Sequence, residues 1–349
     1  MSSVPWVDWE LAERVGVNLV PPGPVLTSSE RNQLIADLRG SARRAPALVA
    51  EAAGLDPGPD NVPELVVDRA GIVRANIQIA RITTDRLGEL TTRPDALRRL
   101  VGGLRGAGVG AVLAIVGARI LGQFDAYGSP RLLLVAPTIA QVERILDVDP
   151  ADFRMWVCLH EQTHRVQFAT ATWLPEHMLG LMASVVDAGD EPGSLLDRLG
   201  NRLDAVRRDQ RESRPLSTRM VDAVSAPATV ATLDQLTAIM SLLEGHADVM
   251  MDRAAPGVIA TLPTIRARFD ARRGRGGPLA VIGRLLGMDA KLAQYREGAA
   301  FCRRVLQEAG PAGLNRAFTS PDALPTLPEI LHPEQWMARV PSTDAPVGD

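Results

Sequence analysis

Apolar residues recur at three- and four-residue steps along most of the chain, which is the spacing of amphipathic helices. Proline and glycine residues interrupt this spacing and mark where the segments end. The pattern predicts helices over residues 28–40, 61–90, 95–123, 138–147, 150–169, 175–188, 232–253 and 279–308. We therefore expect a mainly α protein.

Few stretches have the character of strands. Residues 131–136 contain an uninterrupted apolar run that stops at Pro137, and residues 258–262 form a weaker candidate. Strands of this length indicate a small β element beside the helices.

The chain has 349 residues, of which 46% are hydrophobic, so it can bury a large core. No internal repeat is found. Residues 189–215 mix acids, arginines and turn residues, and could separate lobes at 1–190 and 216–340. Because the candidate site described below draws on both lobes, we expect a single catalytic domain over 1–340, with a disordered tail at 341–349.

The charge pattern argues against a polyanionic partner. The formal net charge is only −3, so no strong field favours nucleic acid or an acidic membrane surface. Residues 272–278 are rich in arginine and glycine, but this stretch is short and has no aromatic residue to stack on a base. We interpret it as a surface loop and expect no nucleic-acid partner.

Cysteine usage and hydropathy favour the cytoplasm. Cys158 and Cys302 form no CxxC pair, and the first residues lack the basic start and apolar run of a secretory signal. Residues 106–118 are apolar but too few to span a bilayer, which takes roughly 20 residues. Their small side chains predict a closely packed core helix, and we expect no membrane association.

The most informative motif is an HExxH sequence that runs from His160 through Glu161 to His164. It lies in a predicted helix that Asp149 would cap and Pro150 would begin. Helical spacing puts both histidines on one apolar stripe, which also holds Phe153, Trp156, Val157 and Phe168.

Two histidines four residues apart on a helix can bind one ion. Their β-carbons lie about 5–6 Å apart, and both imidazoles can reach a zinc ion at about 2.0–2.1 Å. Glu161 is rotated about 100° from His160, so it flanks the ion and suits a base that takes a proton from a bound water. The alternative is a pair of hydrogen-bonded core histidines, but an accidental HExxH is rare in a chain with five histidines.

A catalytic zinc site needs a third protein ligand. The metzincin continuation is absent, because Gln167 and Thr170 stand where its glycine and third histidine would be. Glu244 and Asp248 share a helix face, so Glu244 can bind the metal while Asp248 accepts a ligand histidine's second N–H. His246 is the rival ligand; on a regular helix it lies about 200° from Glu244, and it could join the site only if the helix bends at Gly245.

The HExxH motif with a downstream glutamate, and an aspartate four residues later, resembles the gluzincin pattern of thermolysin. Residues 160–164, 244–248 and 291–298 together are similar to a largely actinobacterial family, zincin-like metallopeptidase type 2. The resemblance implies His160, His164 and Glu244 as zinc ligands. It also implies Glu161 as general base, Asp248 as a partner behind the ligands, and a helical insertion between the two motif helices. Members are often labelled hydrolases or linked to deazaflavin coenzyme biosynthesis.

A zinc hydrolase also needs a donor for the oxyanion of the transition state. Tyr295 could supply a phenol and His177 an imidazole, although both are also common as structural residues. Cys158 lies about 200° from His160 on the same helix and is interpreted as a small buried hydrophobe. His332 is assigned no role.

The sequence thus predicts a zincin-like helical metallohydrolase that uses zinc to cleave a peptide or a small amide. Two alternatives stay open. The chain could be a non-catalytic zincin-like scaffold in protein interaction, or it could hydrolyse a small metabolite. A long cleft beside an exposed strand edge would favour peptides, and a closed pocket would favour a metabolite.

Overall fold

The computed structural model describes residues 7–92, 105–188, 227–273 and 288–341. Its helices are α1 Trp9–Leu19, α2 Ser28–Ala53, α3 Arg69–Leu90, α4 Arg105–Gly117, α5 Ala136–Leu146, α6 Pro150–Thr170, α7 Leu174–Ala188, α8 Pro227–Ala254, α9 Leu262–Arg273, α10 Met288–Asn315, α11 Leu327–Leu331 and α12 Pro333–Arg339. Its strands are β1 Glu64–Val67, β2 Gly122–Asp125 and β3 Arg131–Val135. The protein is mainly α, as the apolar spacing predicts.

The strands form one small sheet in the order β1-β3-β2. β1 runs parallel to β3, with Glu64 opposite Leu132, and β2 runs antiparallel to β3, with Gly122 opposite Leu134. Residues 132–135 of the central strand are all buried, which explains why they read as a continuous apolar run. β2 lies at an edge of the sheet.

Helix α6 confirms the local sequence signals. Asp149 caps it by accepting a hydrogen bond from the backbone N–H of Asp152 at 2.9 Å, and Pro150 occupies the first turn. Strand β3 and helices α5 and α7 also lie within two residues of the predicted bounds.

Several predicted helix bounds are wrong. The segment predicted as helix 61–90 begins with strand β1, and the segment 95–123 ends in a turn and the start of β2. Helix α2 continues past residue 40 through Pro46 and ends at Gly54, which adopts a left-handed conformation with φ 65°. The predicted strand at 258–262 is instead a turn that leads into α9.

Two apolar clusters make up most of the core. One joins α2, α5, β3 and the first half of α6, and includes Phe153, Trp156 and Leu159. The other joins α8, α10 and the C-terminal helices around Phe301 and Trp336. Helix α6 contacts both clusters, because Phe168 near its end packs against the second one.

The segment predicted as a closely packed core helix is α4, and the prediction holds for one of its faces. A β-carbon on Gly110 would lie 2.3 Å from the carbonyl oxygen of Ala12, so α1 and α4 touch through their backbones. The opposite face exposes Val112, Ile115 and Val116. None of the helices in the described part of the chain is both long and apolar enough to cross a bilayer.

Several sequence-based interpretations fall partly or wholly outside the described residues. They include the lobe boundary at 189–215, most of the arginine- and glycine-rich loop at 272–278, the tail at 341–349, and parts of the predicted helices 95–123 and 279–308.

Candidate metal centre

Helix α6 is buried on almost every side and is partly open along one line. From Phe153 to Gln167 the partly accessible positions are His160 and His164, and Phe168 follows one turn later. Residues four apart on a helix lie above one another, so these side chains form a single open stripe. The two histidines therefore keep partial access to solvent, whereas the sequence pattern predicts that they face the apolar core.

Helix α8 presents a matching stripe. Glu244, Asp248 and Asp252 are partly accessible, while the residues between them are buried. The side-chain contacts show that the two helices run in opposite directions. Gln167, near the end of α6, meets the carbonyl of Leu243, whereas Arg266 links Trp156, earlier on α6, to Asp248, later on α8.

His160, His164 and Glu244 converge. One ligand atom from each lies within 4.8 Å of the other two, so within the described ranges these three residues form a group that could hold a metal ion. The Nε2 atoms of the two histidines are 3.3 Å apart. Oε2 of Glu244 lies 3.5 Å from Nε2 of His160 and 4.0 Å from that of His164.

These distances fit a tetrahedral ion. Bonds of about 2.0–2.1 Å at tetrahedral angles place neighbouring ligand atoms about 3.3–3.4 Å apart. Two of the three separations are within about 0.2 Å of that value, and the third, between Glu244 and His164, is longer at 4.0 Å. Two imidazole nitrogens and one carboxylate oxygen are also a donor set that zinc uses in catalytic sites.

Glu161 lies beside this group and is buried, with 7% of its surface exposed. Burial raises the pKa of Glu161 to about 7; His160 opposes this shift and Glu244 adds to it. Strand β2 packs closely against the same side chain, since a β-carbon on Gly122 would lie 2.6 Å from Cγ of Glu161. A carboxylate with a pKa near neutrality beside a metal group is suited to accept and return a proton.

The charges in the site act on the two histidines in opposite ways. Burial lowers the pKa of His160, but the hydrogen bond with Glu244 and the surrounding carboxylates outweigh it, so the net pKa is raised. Burial lowers the pKa of His164, and the field of Glu244 does not reverse that shift.

Gln167 is the partner of the other imidazole nitrogen of His164. Its Oε1 lies 2.9 Å from Nδ1 of His164. Its Nε2 donates to the carbonyl of Leu243 at 2.8 Å and lies 3.0 Å from Nδ1 of His246. Gln167 and His246 are both fully buried.

Asp248 does not accept a hydrogen bond from either of the two histidines, although the sequence predicts one. Its carboxylate instead pairs with Arg266 at 2.6 Å and with Arg303 at 3.0 Å. Arg266 also pairs with Asp252 at 2.8 Å and lies over the ring of Trp156. Asp248 is thus part of an ion-pair cluster one turn from Glu244, and Gln167 is the residue that meets His164.

His246 lies away from the metal group, as regular helix geometry predicts. Its ring packs edge-on against Phe318, with centroids 5.0 Å apart, and burial lowers its pKa to about 3. Gly245 does not provide a bend. It allows close packing instead, because a β-carbon there would lie 2.1 Å from the carbonyl carbon of Gly298 in α10.

The remaining candidates lie apart from the metal group or outside the described side chains. His177 of α7 packs against Trp173, the residue just before that helix, with ring centroids 5.8 Å apart. Its charged neighbour is Asp322. Tyr295 belongs to α10, but its side chain is outside the described part of the structure. Cys158 and Cys302 are free and buried, in agreement with the sequence reading of Cys158.

Sequence reasoning missed two residues at the site. Gln167 served only to exclude the metzincin pattern, although its position three residues after a ligand histidine puts it within reach of that side chain. Gly122 gave no signal, because its contact with Glu161 depends on how strand β2 packs against helix α6, and local sequence does not reveal that packing.

A model of the zincin-like metallopeptidase family matches residues 7–337. No curated protein matches the chain. The structure is similar to the crystal structure of a provisionally assigned hydrolase with a novel fold from Chloroflexus aurantiacus. The two share 24% sequence identity and a TM-score of 0.64 over 95% of this chain and 98% of that one, which shows a common fold. Since the family model covers nearly the whole chain, the protein belongs to the zincin-like metallopeptidase family.

Proposed function

We propose that this protein is a zinc-dependent hydrolase of amide bonds and that its substrates are peptides. The observation that carries the proposal is the convergence of His160, His164 and Glu244 within 4.8 Å, with the buried carboxylate of Glu161 beside them. The family to which the chain belongs implies a metal ion, and the three ligand atoms are spaced for one.

The chemistry divides between the ion and the chain. A bound zinc ion polarises a carbonyl and makes water a stronger nucleophile at neutral pH. Glu161 accepts a proton from the attacking water and returns it to the leaving amine. Burial raises the pKa of Glu161 above the ordinary value for a glutamate, which makes its carboxylate a stronger proton acceptor.

Strand β2 supports a peptide as the substrate. It is an edge strand, and within the described residues it pairs with β3 alone. An extended peptide can add to such an edge through main-chain hydrogen bonds. Gly122 begins this strand and lies against Glu161, so a peptide on the edge would pass the proton-accepting carboxylate.

An aromatic pair beside the metal group supports a preference for apolar side chains. Phe124 of β2 stacks on Phe168 of α6, with centroids 6.0 Å apart, and both rings are partly accessible. Phe168 lies one helical turn beyond His164 on the open stripe. We infer that an apolar side chain next to the scissile bond packs on this pair.

A peptide library incubated with the zinc-loaded protein tests the proposal. We expect Glu161→Gln to keep its zinc and to lower kcat/KM by about 100- to 10,000-fold on any cleaved peptide, because the proton acceptor is lost. Glu64→Gln is the matched control, since Glu64 is a partly buried acid that bonds Gln162 on the far side of α6. Full activity of Glu161→Gln would show that the base is another group.

The same assay separates the two alternatives. A small-metabolite hydrolase would leave the peptide library intact and cleave small amides, again with dependence on Glu161. A non-catalytic scaffold, with or without bound zinc, would cleave neither class.

A further inference from the structure

We propose that Gln167 is a positioning residue that fixes the orientation of His164 and ties it to the helix that carries Glu244. The inference rests on the proposed metal site. It adds a buried residue that links His164 of α6 to the helix that carries Glu244.

The hydrogen-bond donors and acceptors determine how the Gln167 amide is oriented. The carbonyl of Leu243 can only accept, so the end of the amide that meets it at 2.8 Å must be the NH2 group. The oxygen end therefore faces Nδ1 of His164 at 2.9 Å, and that nitrogen must carry the hydrogen. Nε2 of His164 then has a free lone pair, and it is this atom that faces Glu244 and His160.

His246 completes the arrangement. The second hydrogen of the Gln167 NH2 group points to Nδ1 of His246 at 3.0 Å, so this ring accepts at Nδ1 and carries its own hydrogen on Nε2. Nε2 of His246 has no polar partner within the described residues, and the ring lies edge-on to Phe318. The two imidazoles thus hold opposite tautomers, and one amide sets both.

The position of Gln167 explains why a single side chain can do this. It lies on α6, three residues after His164, and the carbonyl it binds belongs to the residue just before Glu244 on α8. Rotation of His164 or sliding of α6 along α8 would break a buried hydrogen bond. Partners of this kind behind a metal ligand typically contribute about 10- to 100-fold to metal affinity.

The variant Gln167→Met tests the inference, because it keeps the length of the side chain and removes all of its hydrogen bonds. Gln162→Met is the matched control. Gln162 is a fully buried glutamine on the same helix, but its amide bonds the carbonyl of Ala42 and the carboxylate of Glu64, away from the metal group. Both variants lose buried hydrogen bonds, so both are expected to lower stability.

Metal affinity separates the two variants. In competition with a chromophoric chelator, we expect Gln167→Met to bind Zn²⁺ and Co²⁺ about 10- to 100-fold more weakly than wild type. Its cobalt visible spectrum is expected to change, while Gln162→Met stays close to wild type in both measurements. Equal affinities for the two variants would overturn the positioning role and leave the proposed function intact, whereas a wild type that binds no metal would overturn both.

Nitrogen-15 NMR of the histidine side chains in the zinc-loaded wild type needs no variant and applies even if Gln167→Met does not fold. We expect His164 to carry hydrogen on Nδ1 and to bind metal through Nε2, and we expect His246 to carry hydrogen on Nε2. Coordination of zinc through Nδ1 of His164, or hydrogen on Nδ1 of His246, would contradict the inference.

Discussion

Gly122 lies where any other residue would touch the carboxylate of Glu161. A β-carbon there would be 2.6 Å from Cγ and 2.9 Å from Cδ of Glu161, which is too close for two carbon atoms. Because Glu161 is buried, it can move only toward the metal group or into packed neighbours. The orientation of the proposed base therefore depends on the absence of a side chain in an adjacent strand.

The variant Gly122→Ala is expected to retain zinc and to lose hydrolysis. A displacement of the base by about 1 Å can reduce the rate by about 100-fold. Steady-state kinetics on the best peptide, together with zinc content, would measure both effects. Gly40→Ala is the control, because its β-carbon meets nothing within 4 Å and the helix gains about 0.5–1 kcal/mol. An unchanged rate in Gly122→Ala would mean that Glu161 is not held by this strand.

At the residue scale, the spacing of residues along one helix predicts only those parts of the site that lie on that helix. His160, His164 and Glu161 follow from helix geometry. Glu244 follows because zinc needs a third ligand and Asp248 lies one helical turn after Glu244. The contact of Asp248 with two arginines does not follow, because Arg266 and Arg303 come from helices whose approach depends on tertiary packing. Gln167 is local to His164, but its value depends on Leu243, which is 76 residues away.

At the element scale, α8 and α10 meet through their backbones. A β-carbon on Gly298 would lie 1.9 Å from the carbonyl oxygen of Ser241, and one on Gly245 would meet the backbone of Gly298. This contact holds the stretch of α8 that carries Glu244, so the position of the proposed third ligand depends on two glycines outside the proposed ligand set.

The variant Gly298→Ala is expected to force the two helices apart and to lower the free energy of unfolding by about 1–3 kcal/mol. Urea unfolding would measure the loss. Gly180→Ala in α7 serves as the comparison, since no atom lies within 4 Å of its β-carbon. Equal stability of the two variants would show that α8 and α10 are not in close contact.

An ion-pair cluster anchors the start of α6. Arg154 is buried and pairs with Glu143 at 2.7 Å and with Asp37 at 2.6 Å, which joins α6 to α5 and α2. We expect Arg154→Met to destabilise the protein by about 3–5 kcal/mol, because Glu143 would be left buried without its partner. Urea unfolding measures this loss, and Arg74→Met, which removes an exposed pair with Glu13, should cost about 0–1 kcal/mol in the same assay.

Helices were more predictable than strands for a physical reason. The bounds of α6 follow from its own cap and its own periodicity, all within residues 149–170. β1 has four residues and pairs with β3, 68 residues away in register, so nothing near it in sequence reveals the pairing. The predicted helix 95–123 overlaps the start of β2, and β2 is extended because it pairs with β3.

At the scale of the whole molecule, the proposed metal joins two helices that contact different parts of the core. α6 supplies two ligands and packs largely in one apolar cluster, while Glu244 comes from α8, which packs mainly in the other. A ligand that binds only the folded state stabilises it, by about 2.7 kcal/mol at a free concentration of 100 times Kd. Zinc should therefore raise the melting temperature of wild type. A similar rise in His164→Ala would mean that zinc acts elsewhere.

The mainly α architecture follows from the sequence, because the helices carry most of their own signals. Residues 160–164 and Glu244 are more than 75 residues apart, and the sequence connects them only through the ligand set that zinc requires. In the structure, the packing of α6 against α8 brings them together. The partial solvent access of His160 and His164 could not be predicted, since the helix pattern alone places the histidines toward the core.

Elemental analysis of purified, zinc-loaded protein tests the central claim most directly, with wild type compared with His164→Ala and Glu244→Ala. The account predicts one zinc ion per chain in wild type and loss of that ion in both variants, each of which removes one of the three converging ligands. Retention of stoichiometric zinc in either variant would contradict the site, and a wild type that binds no zinc would contradict the account as a whole.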